Sequence, residues 1–301
     1  MRIYGNIVRR IPVDKGWSGD RKYCAITGDG EKYLLRISPA ERLERKHREF
    51  ENMKKVARLG IPMCLPVEFG SCEEGVYSLQ SWVDGEDAES VLSVAIPLDQ
   101  YRYGLDAGRI LKKIHSIPAP ENTQSWYLRF NAKIDRKLAM YKNCPLKYEN
   151  GECLLEYIFE NRQLLADRPQ TYQHGDYHVG NMMIDREGTL TVIDFDRDDY
   201  GDPWEEFNRI VWSAQAAPAF AAGMVDGYFD GEIPEDFWRL LALYICSNTL
   251  SSLPWAIPFG EEEILVMRRQ AADVLQWYDN MRTVIPSWYR AGTENRKKAE
   301  V

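Results

Sequence analysis

The stretch that decides the reading is His174-Gly175-Asp176-Tyr177-His178-Val179-Gly180-Asn181, followed by Ile193-Asp194-Phe195-Asp196. It is the densest polar cluster in the chain. Asp176, Asn181 and Asp194 are spaced by 5 and 13 residues and offer only oxygen donors. That chemistry suits a hard cation such as Mg2+. Gly175 and Gly180 mark a loop, whose backbone freedom can aim Asp176 at an incoming hydroxyl. The short apolar runs Met182-Met183-Ile184 and Leu190-Thr191-Val192-Ile193 lie either side of Arg186-Glu187-Gly188. They predict a hairpin that brings Asn181 and Asp194 together and leaves Asp176 one loop away.

Working outward, residues 21–27 and 31–37 flank Gly28-Asp29-Gly30 and predict a second hairpin. A small-residue loop, Lys15-Gly16-Trp17-Ser18-Gly19-Asp20, precedes it. A helix is expected from Ala40 to Leu59, ended by Gly60 and Pro62. Strands near 65–70 and 75–81 follow, and Asp84-Gly85 marks a linker. Residues 99–115 then carry Tyr103, Ala107, Ile110, Leu111 and Ile114 on one helical face. Further helices are expected near 131–141, near 152–167 and over most of 204–280. The order predicts an α+β, bilobal fold: a small β-rich lobe over 1–81 and a large, mainly helical lobe over 82–301.

Composition fits a soluble globular protein: of the 301 residues, 45% are hydrophobic and 28% charged. The formal charge of −8 divides into +4 over 1–81 and −12 over 82–301. An acidic second lobe excludes nucleic acid as the main partner, because a phosphate backbone needs a cationic face. It leaves room for a small cationic molecule. The six cysteines form no C-x-x-C pair and show no zinc spacing, which fits reduced thiols in a cytoplasmic protein. No signal peptide is read at the N-terminus, and no run approaches the about 18 apolar residues of a membrane span. No membrane partner is expected.

His-Gly-Asp-x-His-x-x-Asn with Ile-Asp-Phe-Asp thirteen residues on, and Gly201-Asp202-Pro203 just after, resembles the active site of the aminoglycoside phosphotransferase family. These are small-molecule kinases of the protein-kinase-like fold. The resemblance implies that Asp176 orients the substrate hydroxyl and accepts its proton, and that Asn181 and Asp194 bind Mg2+ on the phosphates of ATP or GTP. It makes His174 and Asp202 supports of the loop. It also calls for a cation on a strand of the first lobe and a helix carboxylate to hold it. Arg36 and Glu49 fill those places, Glu49 lying on the stripe of Met53 and Val56, where a carboxylate needs a partner. Lysine is usual at the first position, and arginine keeps the charge in a planar fork. Lys32 is the weaker candidate. Ser18 and Gly19 would cover the phosphates, and Gln80 and Trp82 fall where backbone groups would meet the base. Asp198, Glu205 and Glu206 are the candidate contacts to the acceptor.

The function implied is γ-phosphoryl transfer from ATP or GTP to a hydroxyl of a small, cationic molecule, with antibiotic resistance as one biological setting. Two other readings stand beside it. His174 and His178, four apart, could belong to a metal-dependent hydrolase, although H-x-x-x-H is persuasive on a helix and the glycines here indicate a loop. A catalytically idle kinase-like binding module is the third reading. Taken singly, Asp176, Asn181 and Asp194 could equally be turn or cap residues.

Overall fold

The computed structural model describes residues 2–14 and 19–292. In chain order they form β1 (Ile7–Pro12), β2 (Arg21–Thr27), β3 (Lys32–Ser38), α1 (Leu43–Ala57), β4 (Pro66–Cys72), β5 (Gly75–Ser81) and β6 (Gly85–Asp87). Then come α2 (Ala88–Val94), α3 (Pro97–Ile114), α4 (Trp126–Asn143), α5 (Gly151–Asn161), β7 (Thr171–Gln173), β8 (Met182–Asp185), β9 (Leu190–Val192) and β10 (Asp199–Gly201). The helices α6 (Ile210–Ala216), α7 (Pro218–Phe229), α8 (Glu235–Ala256), α9 (Glu261–Trp277) and α10 (Ser287–Gly292) complete the described chain.

Two compact units result. The first is 1–87 with 181–198, and the second is 88–180 with 199–301. Residues 181–198, which the sequence reading groups with the second lobe, pack with the first.

In the first unit an antiparallel sheet runs β1-β2-β3-β5-β4. Side chains alternate between its faces. Ala25, Leu35, Ile37, Tyr77 and Leu79 make a core on one face. Arg36, Ser78 and Gln80 belong to the other and line a crevice with Glu49 and Met53 of α1. Helix α1 buries Glu49, Asn52, Met53 and Val56 at i, i+3, i+4 and i+7, the apolar-stripe spacing with two polar members. The Asp84-Gly85 linker is instead the start of a strand: β6 pairs with β8, and β8 with β9, in a three-stranded sheet. Three residues are too short a run for alternation to announce a strand, and the partner lies about a hundred residues away in sequence.

In the second unit α3 and α7 pack through four glycines. A Cβ on Gly104 would lie 2.2 Å from the Phe220 carbonyl, one on Gly108 2.2 Å from that of Met224, and one on Gly223 2.2 Å from that of Tyr101. Gly227 meets Leu105 in the same way. The helices therefore touch backbone to backbone, and the buried Tyr101 hydroxyl reaches Asp226 at 2.5 Å. A Gly108→Val variant must separate the helices. We expect it to lose about 3 kcal/mol, at the upper end for overpacking, read as a lower urea midpoint. Helix α8 with the turn after it, Glu235–Phe259, is long and apolar enough to cross a membrane by composition, which the sequence reading did not anticipate. Its apolar window is 67% buried within the protein, as befits a core helix.

Candidate active site

Each unit carries part of the predicted site. In the second unit, β7 leads into the loop 174–180. Gly175 has φ +85°, in the region that favours glycine, and its N–H donates to Glu206 Oε1 at 2.9 Å. The Asp176 N–H donates to His174 Nδ1 at 3.3 Å, and the His174 ring is fully buried. The Tyr177 hydroxyl donates to the Ala107 carbonyl at 2.7 Å, and the Val179 N–H to Ser213 Oγ at 3.1 Å. The loop is thereby tied to α3, to α6 and to the turn before α6. Asp176 itself stays partly accessible. It faces Arg209 Nε at 3.2 Å and His178 Nε2 at 3.7 Å.

Asp202 is wholly buried behind this loop. It accepts from Arg168 Nε at 2.7 Å, from the Tyr244 hydroxyl at 2.6 Å and from the Trp204 N–H at 3.0 Å. The Arg168 guanidinium stacks 3.8 Å from the centre of the Trp204 indole. A buried carboxylate so fully matched fixes the β7–β10 end of the unit, from which the Asp176 loop departs.

In the first unit, the Ile193 N–H donates to the Asn181 carbonyl at 3.0 Å, so Asn181 and Asp194 share one end of the β8–β9 hairpin. Asp194 has φ +67°, a left-handed backbone uncommon outside glycine and asparagine. Arg36 is buried and reaches three carboxylates: Asp194 through Nη1 and Asp196 through Nη2, both at 2.5 Å, and Asp20 through Nε at 3.3 Å. Burial alone would lower the Arg36 pKa, but Asp194, Asp196 and Asp20 raise it above its ordinary value. Likewise burial would raise the Asp20 carboxyl, yet the Ser38 hydroxyl, Arg36 and Lys46 hold it low.

The expected Arg36–Glu49 pair does not form. Glu49 takes Arg45 Nε at 2.7 Å and Lys46 Nζ at 2.8 Å, its own helical neighbours at i−4 and i−3. Lys46 also reaches Asp20 at 2.9 Å and so links helix and sheet. Lys32 is exposed and meets Asp84 at 3.3 Å. Gln80 is buried with its Oε1 unpartnered in the crevice that Arg36 lines, and Trp82 is half-buried just beyond β5. Gly19 is exposed beside Arg42, while Ser18 lies outside the described residues.

The candidate acceptor contacts are already engaged by the fold. Asp198 accepts from Asn52 Nδ2 at 2.7 Å. Glu205 pairs with Lys133 at 3.1 Å and accepts from Gln173 Nε2 at 3.2 Å. Glu206 holds Gly175. Among the described residues no group of three His, Cys, Asp or Glu side chains is placed to hold a metal. An Asn–Asp pair completed by phosphate oxygens is a different donor set, and Asn181 and Asp194 supply the oxygens it needs.

Sequence reasoning missed Arg209, Asp20, Lys46 and Lys22. Lys22 pairs with Arg36 across β2–β3, and its Nζ is 3.6 Å from Asp194. The hairpin register alone placed it there.

A five-stranded antiparallel sheet with one buried basic residue on β3, followed by a helical unit bearing an aspartate loop, defines a kinase-like small-molecule phosphotransferase. The match of residues 9–241 to the model of the Phosphotransferase enzyme family, APH, shows that the chain belongs to that family. The fold is also that of several solved structures. A thermostable mutant of aminoglycoside phosphotransferase APH(4)-Ia, in ternary complex with ADP and hygromycin B, is 16% identical with a TM-score of 0.62, covering 90% of this chain and 95% of its own. The amicoumacin kinase hAmiN, in complex with AMP-PNP, Ca2+ and Ami, is 14% identical with a TM-score of 0.63, covering 93% and 91%. The GDP complex of an aminoglycoside 2'-phosphotransferase-IIIa mutant is 14% identical with a TM-score of 0.65, covering 88% and 92%. No curated protein matches the sequence.

Proposed function

We propose that this phosphotransferase moves the γ-phosphoryl group of ATP or GTP to a hydroxyl of a small molecule. The observation that carries this reading is the hairpin end shared by Asn181 and Asp194, with the Arg36 guanidinium on Asp194. Asn181 and Asp194 would hold Mg2+, which when bound neutralises charge on the triphosphate. Arg36 supplies fixed positive charge at the same place, and Gly19, Gln80 and Trp82 belong to the nucleotide's surroundings. Asp176 orients the acceptor hydroxyl and takes its proton as the oxygen attacks phosphorus. His174, Glu206 and Asp202 keep the loop in place.

Related folds holding ADP, AMP-PNP or GDP support a nucleotide cosubstrate, and the one that also holds Ca2+ supports a divalent ion. Hygromycin B and amicoumacin as bound acceptors support a small hydroxylated molecule and keep antibiotic modification among the candidate roles. All six cysteines are free, which suits a reducing cytoplasm. The test is nucleotide consumption with ATP and GTP in separate arms, with and without Mg2+, over a panel of hydroxylated acceptors. Acceptor-dependent, Mg2+-dependent consumption is expected. Failure to bind either nucleotide in the presence of Mg2+ would overturn the reading.

A further inference from the structure

Lys22 and Arg36 stand directly opposite each other on β2 and β3, so both side chains rise from the same face of the sheet. Tyr23 packs against the core on the other face, which leaves Lys22 on the face of the Arg36 crevice. Two cations opposed in this way repel, and a lysine side chain only 10% exposed needs an anion to meet. The two are not used alike.

Arg36 is committed to the fold. Its side chain is 4% exposed. The guanidinium holds Asp194 Oδ1 and Asp196 Oδ2 at 2.5 Å, and Asp20 Oδ2 at 3.3 Å from Nε and 3.2 Å from Nη2. Reaching for another anion would break several charge-assisted contacts at once in a buried place. Lys22 is held differently. Its Nζ lies 3.6 Å from Asp194 Oδ2, the oxygen that the Arg36 contact leaves, and at that separation the contact is Coulombic rather than a hydrogen bond. An ammonium on a four-carbon stem can turn to a new anion, where a buried planar fork cannot.

The charges give it a reason to turn. Within the chain Asp20, Asp194 and Asp196 are answered by Arg36, Lys46 and Lys22. Asp194 is the most accessible of the three carboxylates and is the one assigned to Mg2+. Once Asp194 commits its charge to a divalent ion, Lys22 beside it loses its anion and faces a second cation. The oxygens that arrive with such an ion belong to the triphosphate.

We infer that Lys22 is the side chain that grips the triphosphate: it leaves Asp194 for a phosphate oxygen when Asp194 takes the metal, while Arg36 stays in its clasp of carboxylates and ties the metal ligand to the sheet. This rests on the proposed use of a Mg2+-bound nucleotide. It moves the phosphate contact from β3, where the resemblance to small-molecule kinases calls for it, to β2.

The test is titration calorimetry of the full chain with AMP-PNP and with GMP-PNP, each with Mg2+, alongside urea denaturation. Lys22→Met keeps an unbranched stem and removes the charge. It should bind the nucleotide that wild type binds at least about tenfold more weakly, as for one lost hydrogen bond to a charged group. Its urea midpoint should stay near that of wild type. Its affinity should also depend less on salt, because one ionic contact is gone. Lys22→Arg should recover most of the loss. Arg36→Lys should show the opposite pattern, a lower urea midpoint with nucleotide affinity little changed.

Unchanged affinity in Lys22→Met overturns the inference and leaves phosphotransfer standing, and weak binding by Arg36→Lys would then return the contact to Arg36. An affinity loss in Lys22→Met that comes with a fallen urea midpoint and an unaltered salt dependence marks a lysine that merely supports the sheet, and overturns it as well. A wild type that binds neither nucleotide with Mg2+ overturns both readings.

Discussion

Asp176→Asn should bind nucleotide as wild type does and lose about a thousandfold in kcat. Asp176 is the one carboxylate on the 174–180 loop, and its side chain stays partly accessible to solvent. Asparagine keeps its shape and can still accept a hydrogen bond from Arg209, so the loop should stay folded. What it loses is the negative charge that orients a hydroxyl and receives its proton, an effect worth 10²–10⁴ in general-base catalysis, about 10³ at the midpoint. Steady-state kinetics should show the loss in kcat with the nucleotide KM little changed. Calorimetry should show the same nucleotide affinity. A variant retaining wild-type turnover would remove Asp176 from the reaction.

Arg36→Gln should be the most destabilising single change in the first unit, at about 3–5 kcal/mol, the range for breaking a buried ionic network from one side. The substitution strands Asp20, Asp194 and Asp196 together without their shared counter-charge. Its pH dependence follows in sign. The folded pKa of Asp20 is held low in the wild type. That carboxylate therefore contributes stability that is present above its unfolded pKa and is lost as pH falls through the folded value. In Arg36→Gln the buried carboxylates repel one another when charged, so protonation relieves the variant. The gap between wild type and variant should be widest near neutrality and narrow as pH drops through the carboxylate range. Urea denaturation at a series of pH values checks this, and a gap that widens toward acid would contradict the assignment. Arg36→Lys should fall between the two, because it keeps a charge and loses the fork.

The parts of this fold that the sequence made legible were those fixed by local pattern. The Gly28-Asp29-Gly30 turn specified the β2–β3 hairpin, and with it the register that sets Lys22 opposite Arg36. The apolar pair 182–184 and 190–193 specified the hairpin that joins Asn181 to Asp194. Partnerships across long stretches were not legible. Arg36 finds Asp194 and Asp196 about 160 residues away, and no spacing rule connects them. Glu49 was read as needing a distant cation, when Arg45 and Lys46 already stood at helical contact distance. Arg209 meets Asp176 from the turn before α6, which no local pattern announced.

The polypeptide passes from one unit to the other three times, at 87/88, 180/181 and 198/199, and the middle passage runs through the signature octapeptide itself. Gene dissection has to respect that interleaving. A front-end piece stopping at 87 would leave β6 without its ladder and Arg36 without Asp194 and Asp196, whereas a back-end piece would carry an eighteen-residue insert, 181–198, with no sheet to join. Neither half can be produced as a faithful miniature, and chemistry that draws on both sides of Gly180 is inherited by descendants of this gene only as a whole.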